Sequence, residues 1–262
     1  MDLDHVALGL HDVTDALFAF VGDLGAGVVD GGQSVGFRIV QIRLGRRPNP
    51  ADPSDPGEGM KIELMEPWAA ERFDFLARFL ERNGEGPHHM TFKVDGIRDE
   101  IARLEAAGYT PVRTQLDNPW WREAFYHPKD TFGTVVQVAE STFDAALVEE
   151  HERARADGTS DFGSVEWWPT PPARAERRAT LRRVAIGVPD LGAARGFFGD
   201  VMQGHVVAER AEAVELAWPG GGRLLLEQRE GSPGVDRYEC EREGEPEERV
   251  IGGARIVIRP PD

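Results

Sequence analysis

The sequence predicts an α+β fold built from a repeated unit, in which a strand is followed by a helix and then by several strands. Three observations support this prediction. A strand-like segment at residues 3–10 recurs at residues 89–94, each copy is followed by an amphipathic helix, and another copy begins at residue 181. Internal repetition of this kind determines the architecture of a chain, because each copy folds as the same local unit.

The first unit covers residues 1–68. Its opening strand has an aliphatic face with Val6, Leu8 and Leu10, and the opposite face carries His5. An apolar stripe with helical spacing follows at residues 13–21, and further strand-like segments lie at 35–44 and 60–66. A helix predicted at residues 69–82, which Gly84 is placed to end, leads to the second unit.

The second unit covers residues 85–140 and repeats this order. His89 stands where His5 stands in the first strand, and Met90 aligns with Val6. A helix follows that Gly108 terminates, and strand-like segments at 109–114, 123–127 and 134–139 complete the unit. We therefore assign residues 1–140 to one domain made of two modules, residues 1–68 and 85–140.

The remainder of the chain is predicted to contain a connection and a third module. Residues 141–179 form a charged helix at 142–156 followed by a Pro-rich linker, and residues 180–262 form a degenerate third module without metal ligands. Arg183 stands where the first two modules have His, and a segment at 253–258 resembles one more opening strand with Arg255 at that position. Because open sheet edges are generally paired or covered, we expect this module to dock on the first two or on its counterpart in a homodimer.

Composition and charge exclude several classes of function. With 30 basic and 46 acidic side chains the net charge is −16, which repels nucleic acid and anionic membranes. Cys240 is the single cysteine, so neither a disulfide framework nor a cysteine-based metal site is expected. The sequence shows no bilayer-spanning apolar run and no signal-peptide pattern. We expect a cytoplasmic protein whose partner is a small molecule.

Four polar side chains share one position in the strand pattern. His5, Glu63, His89 and Gln137 each lie on a predicted strand and face away from its aliphatic side. Singly, each is most simply an ordinary polar residue, but two imidazoles at equivalent positions of two modules indicate a shared site. Two nitrogens, a carboxylate and an amide oxygen suit one divalent ion with open positions: Mn, Co, Ni, Zn or Fe(II). A closed structural zinc site would use Cys and His.

The first 140 residues resemble the methylmalonyl-CoA epimerases of the vicinal oxygen chelate superfamily, which also contains glyoxalase I, extradiol dioxygenases and bleomycin-resistance proteins. The matching pieces, in order, are Asp4-His5-Val6-Ala7, Lys61-Ile62-Glu63-Leu64-Met65-Glu66-Pro67, Asn83-Gly84-Glu85-Gly86-Pro87-His88-His89-Met90 and His127-Pro128-Lys129. The resemblance implies paired βαβββ modules that form a curled mixed sheet around a metal-lined cavity. It also places the four metal ligands at His5, Glu63, His89 and Gln137.

The resemblance implies a reaction in which a proton leaves one face of an α-carbon and returns to the other, while the metal holds the enolate oxygens. The fourth ligand in the epimerases is normally Glu, but Gln137 stands here, and Gln41 occupies the strand that should carry the other base. An amide is not a useful base near neutral pH. Glu63 is therefore the best candidate for a base that doubles as a ligand. His127 and Glu123 are candidates for proton donors or supporting groups, and His127 has the alternative role of shaping its loop.

The resemblance leaves three functional hypotheses. The first is a metal-dependent isomerase or epimerase that acts through an enolate on an acyl thioester or a related carbonyl compound. The second is a glyoxalase I-like lyase or another metal-dependent enzyme of the superfamily. The resemblance implies a His, His, Glu set of metal ligands for the ring-cleaving dioxygenases, with Glu at the fourth position, so Gln137 argues against that activity. The third is a non-catalytic, bleomycin-resistance-like protein that binds a small molecule. Bound metal near one per chain would favour either enzyme.

Overall fold

The computed structural model describes residues 1–46, 57–118, 120–141 and 167–261, which form two mixed sheets. The first sheet contains the strands β1 (Asp2–Gly9), β2 (Gly27–Ser34), β3 (Gly36–Leu44), β4 (Met60–Trp68), β5 (Gly86–Lys93), β6 (Arg113–Gln115), β7 (Arg122–Tyr126) and β8 (Val135–Glu140). Its helices are α1 (Thr14–Phe18), which continues as a π-helical segment (Ala19–Asp23), α2 (Phe75–Asn83) and α3 (Ile97–Ala106).

The first sheet consists of two halves with the same topology. Its strand order is β2-β3-β4-β1-β5-β8-β7-β6, with β1 and β5 antiparallel at the centre. In each half the opening strand pairs in parallel with the closing strand, β1 with β4 and β5 with β8. Each half is therefore a βαβββ unit, and the predicted fold of paired modules in a curled sheet is confirmed.

The two faces of this sheet have different partners. The apolar side chains of the central strands, among them Val6, Ile62 and Phe92, lie in a buried core that also includes Leu17 of α1 and Leu104 of α3. Burial of these side chains is the main stabilising contribution, about 1.5–3 kcal/mol for each large one. The opposite, concave face carries the polar positions of the strands.

Helix α2 lies on the concave face, at one end of it. Its buried residues Leu76 and Leu80 form a small cluster with Ala7 and Met65, separate from the main core. The helix begins at Phe75 and not at residue 69 as predicted, since Ala69 adopts a positive φ of 50° after β4 and interrupts any helix there. Gly84 ends the helix, as expected. This helix closes one end of the concave face.

The second sheet contains more than one module. Its strands are β9 (Thr180–Val188), β10 (His205–Arg210), β11 (Ala213–Ala217), β12 (Arg223–Gln228), β13 (Gly234–Glu241), β14 (Glu247–Ile251) and β15 (Ala254–Arg259), and α4 (Leu191–Arg195) continues as a π-helical segment (Gly196–Val201). The strand order is β10-β11-β12-β9-β13-β15-β14. The elements β9 to β12 with α4 repeat one complete module, and β13 to β15 form a shortened fourth one without a helix.

This topology corrects the assignment of residues 253–258 as an opening strand. β15 pairs in parallel with β13, as β8 pairs with β5, so β15 is a closing strand and β13 is the opening one. Arg255 therefore does not occupy the His position. A short alternating strand has the same pattern whether it opens or closes a module, and only its pairing distinguishes the two cases.

The two sheets are packed together through their helices. Phe197 of the second unit stacks on Tyr109 at 4.8 Å and on Phe132 at 6.0 Å between ring centroids, and Trp218 lies 5.3 Å from Phe92. Buried residues of both sheets belong to one continuous core. Residues 180–261 thus dock on the first two modules, one of the two arrangements expected from the sequence.

The end of the linker packs on the first sheet. Trp167 Nε1 donates to the Ile39 carbonyl over 2.9 Å, and Arg174 Nη2 donates to the Gly25 carbonyl over 2.7 Å. The charged helix predicted at 142–156 lies outside the described residues. Among those that are described, no helix is long and apolar enough to cross a bilayer.

Candidate metal centre

Three potential metal ligands lie together on the concave face of the first sheet. His5 Nε2 is 3.6 Å from Glu63 Oε2, and His89 Nε2 is 3.9 Å from Glu63 Oε1. One ligand atom from each residue lies within 4.8 Å of the others, and all three side chains are buried. Within residues 1–46, 57–118, 120–141 and 167–261 this is the only group of three or more His, Cys, Asp or Glu side chains so close together.

Strand register explains how residues distant in sequence meet here. Ala7 on β1 is opposite Glu63 on β4 and also opposite His89 on β5. His5 lies two residues before Ala7 and therefore points to the same face of the sheet. The strands β4, β1 and β5 thus each present one ligand on the same face, with Glu63 and His89 level with Ala7 and His5 two residues along β1.

The imidazole of His5 is oriented from behind by Asp4. Asp4 Oδ2 accepts a hydrogen bond from His5 Nδ1 over 2.7 Å and lies 2.7 Å from Lys61 Nζ. Burial raises the pKa of Asp4, but the hydrogen bonds and charges of His5 and Lys61 outweigh it and hold that pKa well below its usual value. The carboxylate at Nδ1 orients the ring so that Nε2 faces the cluster, where it lies 2.9 Å from Thr91 Oγ1, and carboxylates orient metal-bound histidines in the same way.

His89 has a buried nitrogen without a protein partner. Its Nδ1 lies 2.9 Å from Nδ1 of His88, while its Nε2 has no hydrogen-bond partner among the described residues. Burial lowers the pKa of His88 to about 4 and that of His89 well below the usual value, so both rings are neutral near pH 7. Buried polar atoms are normally paired, and a metal ion would satisfy Nε2 of His89.

The two glutamines both contact carboxylates at the site. Gln41 Nε2 donates to Glu63 Oε2 over 2.9 Å. Gln137 Nε2 donates to Glu123 Oε2 over 2.6 Å, and its Oε1 accepts a hydrogen bond from Thr91 Oγ1 over 2.5 Å. The structure therefore places Gln137 beside the cluster with its amide oxygen already fixed by Thr91. A carbonyl oxygen has a second lone pair, which remains for a metal.

Glu123 is a second, half-buried carboxylate at this site. Its Oε2 atom also accepts a hydrogen bond from Trp121 Nε1 over 2.8 Å. Burial raises the pKa of Glu123 above its usual value, although the hydrogen bonds from Trp121 and Gln137 oppose this shift. Trp121 was missed in the sequence; it lies 6.5 Å from His5 between ring centroids. Trp121 immediately precedes β7 and lies two residues before Glu123, and this spacing is the signal that places both on the concave face.

His127 lies apart from these residues. It is exposed in the turn after β7, where its Nδ1 accepts from the Lys129 amide over 3.1 Å and its carbonyl accepts from Thr131 Oγ1 over 3.1 Å. These contacts match the loop-shaping role considered for it. None of the contacts of the described residues joins His127 to His5, Glu63 or His89.

The residues present fit a divalent metal. Two imidazoles and one carboxylate form a mixed nitrogen and oxygen set in which Nε2 of His89 has no hydrogen-bond partner among the described residues. Three protein ligands leave positions for substrate, as catalytic metal sites require. The arrangement combines a site for a Lewis acid with two nearby carboxylates, those of Glu63 and Glu123.

Comparisons with known proteins agree with this fold. In structural comparisons the chain is similar to a hypothetical protein from Staphylococcus aureus, with 10% identity and a TM-score of 0.62, over 99% of this chain and 98% of the other. It is also similar to a 4-hydroxymandelate synthase variant from Streptomyces coelicolor, with 15% identity and a TM-score of 0.56, over 92% and 70%. At these identities the likeness shows the fold alone.

Over a smaller part of its length, the chain is similar to methylmalonyl-CoA epimerase from Mycobacterium tuberculosis, with 24% identity and a TM-score of 0.44, over 56% of this chain and 91% of the other. No curated protein matches the sequence. Residues 4–125 match the model of the Glyoxalase/Bleomycin resistance protein/Dioxygenase superfamily. Residues 4–125, which contain most of the two βαβββ modules, thus match a domain of that superfamily, also called the vicinal oxygen chelate superfamily.

Proposed function

We propose that the first sheet binds one divalent metal through His5, Glu63 and His89, with Gln137 as a fourth ligand. We further propose that the protein is an isomerase or epimerase acting through an enolate on an acyl thioester or a related carbonyl compound. The observation that supports the site is the set of three buried ligand atoms within 4.8 Å of one another. The unpaired Nε2 of His89 supports it further.

A bound divalent ion would supply stabilisation of the negative charge that develops on an enolate oxygen. The chain must supply the groups that move the proton. Gln41 and Gln137 are amides and cannot accept it, so the remaining candidates at the site are the carboxylates of Glu63 and Glu123. An epimerase needs one group on each side of the α-carbon, and Glu63 and Glu123 come from strands β4 and β7, which lie on opposite sides of the pair β1 and β5.

Two measurements test this proposal. Metal analysis of the purified protein should give about one divalent ion per chain. Incubation with a panel of acyl-CoAs and 2-oxo compounds in deuterated water should then introduce deuterium at an α-carbon of one class. Loss of deuterium incorporation in Glu123→Gln, with metal content unchanged, would support the proton-transfer role of Glu123. Full metal occupancy with no exchange in any compound would contradict the isomerase proposal while leaving the metal site intact.

The second candidate is a glyoxalase I-like lyase. The position of Glu63 favours this candidate. Its carboxylate lies beside the imidazoles of both His5 and His89, so it could act as a metal ligand and as the base. This reaction converts the hemithioacetal of a 2-oxoaldehyde into a thioester, so thioester absorbance distinguishes it from the epimerase. A protein without bound metal and without either activity would instead match the non-catalytic, bleomycin-resistance-like hypothesis. The homodimer remains a prediction.

A further inference from the structure

The second sheet has a concave face that corresponds to the metal face of the first. Arg237 on β13 is opposite Ala185 on β9, as His89 is opposite Ala7. Arg183 lies two residues before Ala185, as His5 lies two residues before Ala7. Both imidazole positions of the first sheet are therefore occupied by arginines in the second. Guanidinium groups are permanently protonated, so this face does not bind metal cations.

A cavity of about 260 Å³ lies on this concave face, and four arginines line it: Arg183, Arg210, Arg237 and Arg259. Three glutamates also line it, so cations outnumber anions at the wall of the cavity. The rest of the chain has the opposite balance, because its net charge is −16. The cavity is thus a local site of positive charge on an acidic protein.

The carboxylates of the cavity have no free oxygen. Glu215 accepts from Arg223 Nη1 at 3.0 Å and from Arg183 Nη1 at 2.6 Å. Glu239 accepts from Arg237 Nε and from Arg183 Nε, each at 2.7 Å. Both oxygens of the third glutamate, Glu227, accept from Arg237, at 2.6 and 3.0 Å. All six oxygens are therefore already bonded to guanidinium groups.

Three of the arginines that line the cavity retain N–H groups that can donate hydrogen bonds to a ligand. Arg183 uses Nε and Nη1 in these bonds, which leaves its Nη2 group. Arg210 and Arg259 are exposed and form no side-chain hydrogen bond or ion pair with the described residues, so each offers up to five N–H donors. The unused hydrogen-bonding capacity of the cavity thus consists of donors, in the planar geometry that matches carboxylate and phosphate oxygens.

We propose that this cavity binds an oxyanion, the carboxylate or phosphate group of a small molecule, through Arg183, Arg210 and Arg259. Arg237, whose donors are all directed at carboxylates, holds the wall of the site together. The site is independent of the metal centre, because it lies on the other sheet and uses none of the metal ligands. The second sheet is then a binding unit that has exchanged two imidazoles for two guanidiniums.

The test measures thermal stabilisation and calorimetric binding of the full chain with inorganic phosphate and with malonate. Chloride at matched ionic strength is the reference, because any salt screens the repulsion within a chain of charge −16. We expect saturable binding of at least one of the two probes, one ion per chain, beyond the effect of chloride. The double variant R210Q/R259Q should lose at least about tenfold in affinity, the loss expected from one charge-assisted hydrogen bond.

The matched control is R82Q/R98Q, which removes the same charge from α2 and α3 and should bind as the unchanged protein does. The metal-site variant H5A/H89A should also retain anion binding, because it leaves the second sheet unchanged. The proposal is wrong if phosphate and malonate act only as chloride does. It is equally wrong if R210Q/R259Q binds with unchanged affinity, or if H5A/H89A abolishes binding, since the anion would then bind elsewhere.

Discussion

Gln137 Nε2 donates a hydrogen bond to Glu123 Oε2 over 2.6 Å, and this contact explains why position 137 carries an amide. The same amide presents its oxygen to Thr91 and lies beside His89. A carboxylate at 137 would face the carboxylate of Glu123, and two such groups at this distance cannot both ionise. The donor at 137 and the acid at 123 are therefore one matched pair.

Exchanging the residues at positions 137 and 123 tests whether they form such a pair. We expect Gln137→Glu alone to lower the free energy of unfolding of the metal-free protein by about 1–3 kcal/mol, since a half-buried hydrogen bond is replaced by repulsion. The double variant Q137E/E123Q restores one donor and one acceptor, so it should regain stability and bind metal more tightly than the unchanged protein, through the added carboxylate. Urea unfolding and metal titration measure the two effects. Equal stability of Gln137→Glu and the unchanged protein would contradict the pairing.

Removing either imidazole should abolish metal binding without unfolding the chain. His5→Ala and His89→Ala alter the concave face, whereas the main core lies on the other side of the sheet. We expect metal content near zero by elemental analysis and a near-native circular dichroism spectrum. His11→Ala is the control, because His11 is exposed beyond the end of β1. Full metal occupancy in either variant would refute the site.

Asp4→Asn should weaken metal binding without eliminating it. The carboxylate of Asp4 holds Nδ1 of His5 and so directs Nε2 at the metal position. Loss of such a supporting group typically costs about 10–100-fold in metal affinity. Competition with a chromogenic chelator measures the change, and Asp12→Asn, at an exposed position after β1, is the control. An affinity equal to that of the unchanged protein would show that Asp4 does not orient His5.

The thiol of Cys240 should be unreactive in the folded protein. Burial on β13 raises its pKa to about 12, and the reactive species is the thiolate. At pH 8 a thiol with this raised pKa stays protonated, and its thiolate fraction is about a thousandfold below that of a thiol with a pKa of 9. We expect no reaction with Ellman's reagent at pH 8 until denaturant is added, which makes Cys240 a probe of the second sheet. Rapid reaction of the native chain would contradict its burial.

Deleting residues 180–262 should destabilise the remainder. In the full chain, Phe92, Tyr109 and Phe132 pack on aromatic residues of the second unit, and truncation would expose them to water. We expect an aggregating or strongly destabilised product by size-exclusion chromatography and thermal unfolding. A monodisperse, metal-loaded fragment of residues 1–179 with the melting temperature of the full chain would show that the shared core contributes little.

The sequence by itself determined the modular fold and the candidate ligands. The alternation that separates Val6 and Leu8 from His5 is a property of consecutive residues in a strand, so it is visible without any partner strand. The recurrence of His89 at the equivalent position of a second module then indicated a common site. The structure brings these two imidazoles and Glu63 together, because repeated modules present equivalent positions on the same face of one sheet.

Tertiary structure alone decided what surrounds the site and how the second sheet is built. The pairing of Glu123 with Gln137, and the positions of Arg237 and Arg255, depend on which strands are neighbours and in which register. Register is set by long-range pairing and by turns, and a shift of one residue would exchange the two faces of a strand. Local patterns in the sequence do not contain that information, so these residues acquired their roles only when the strands were paired.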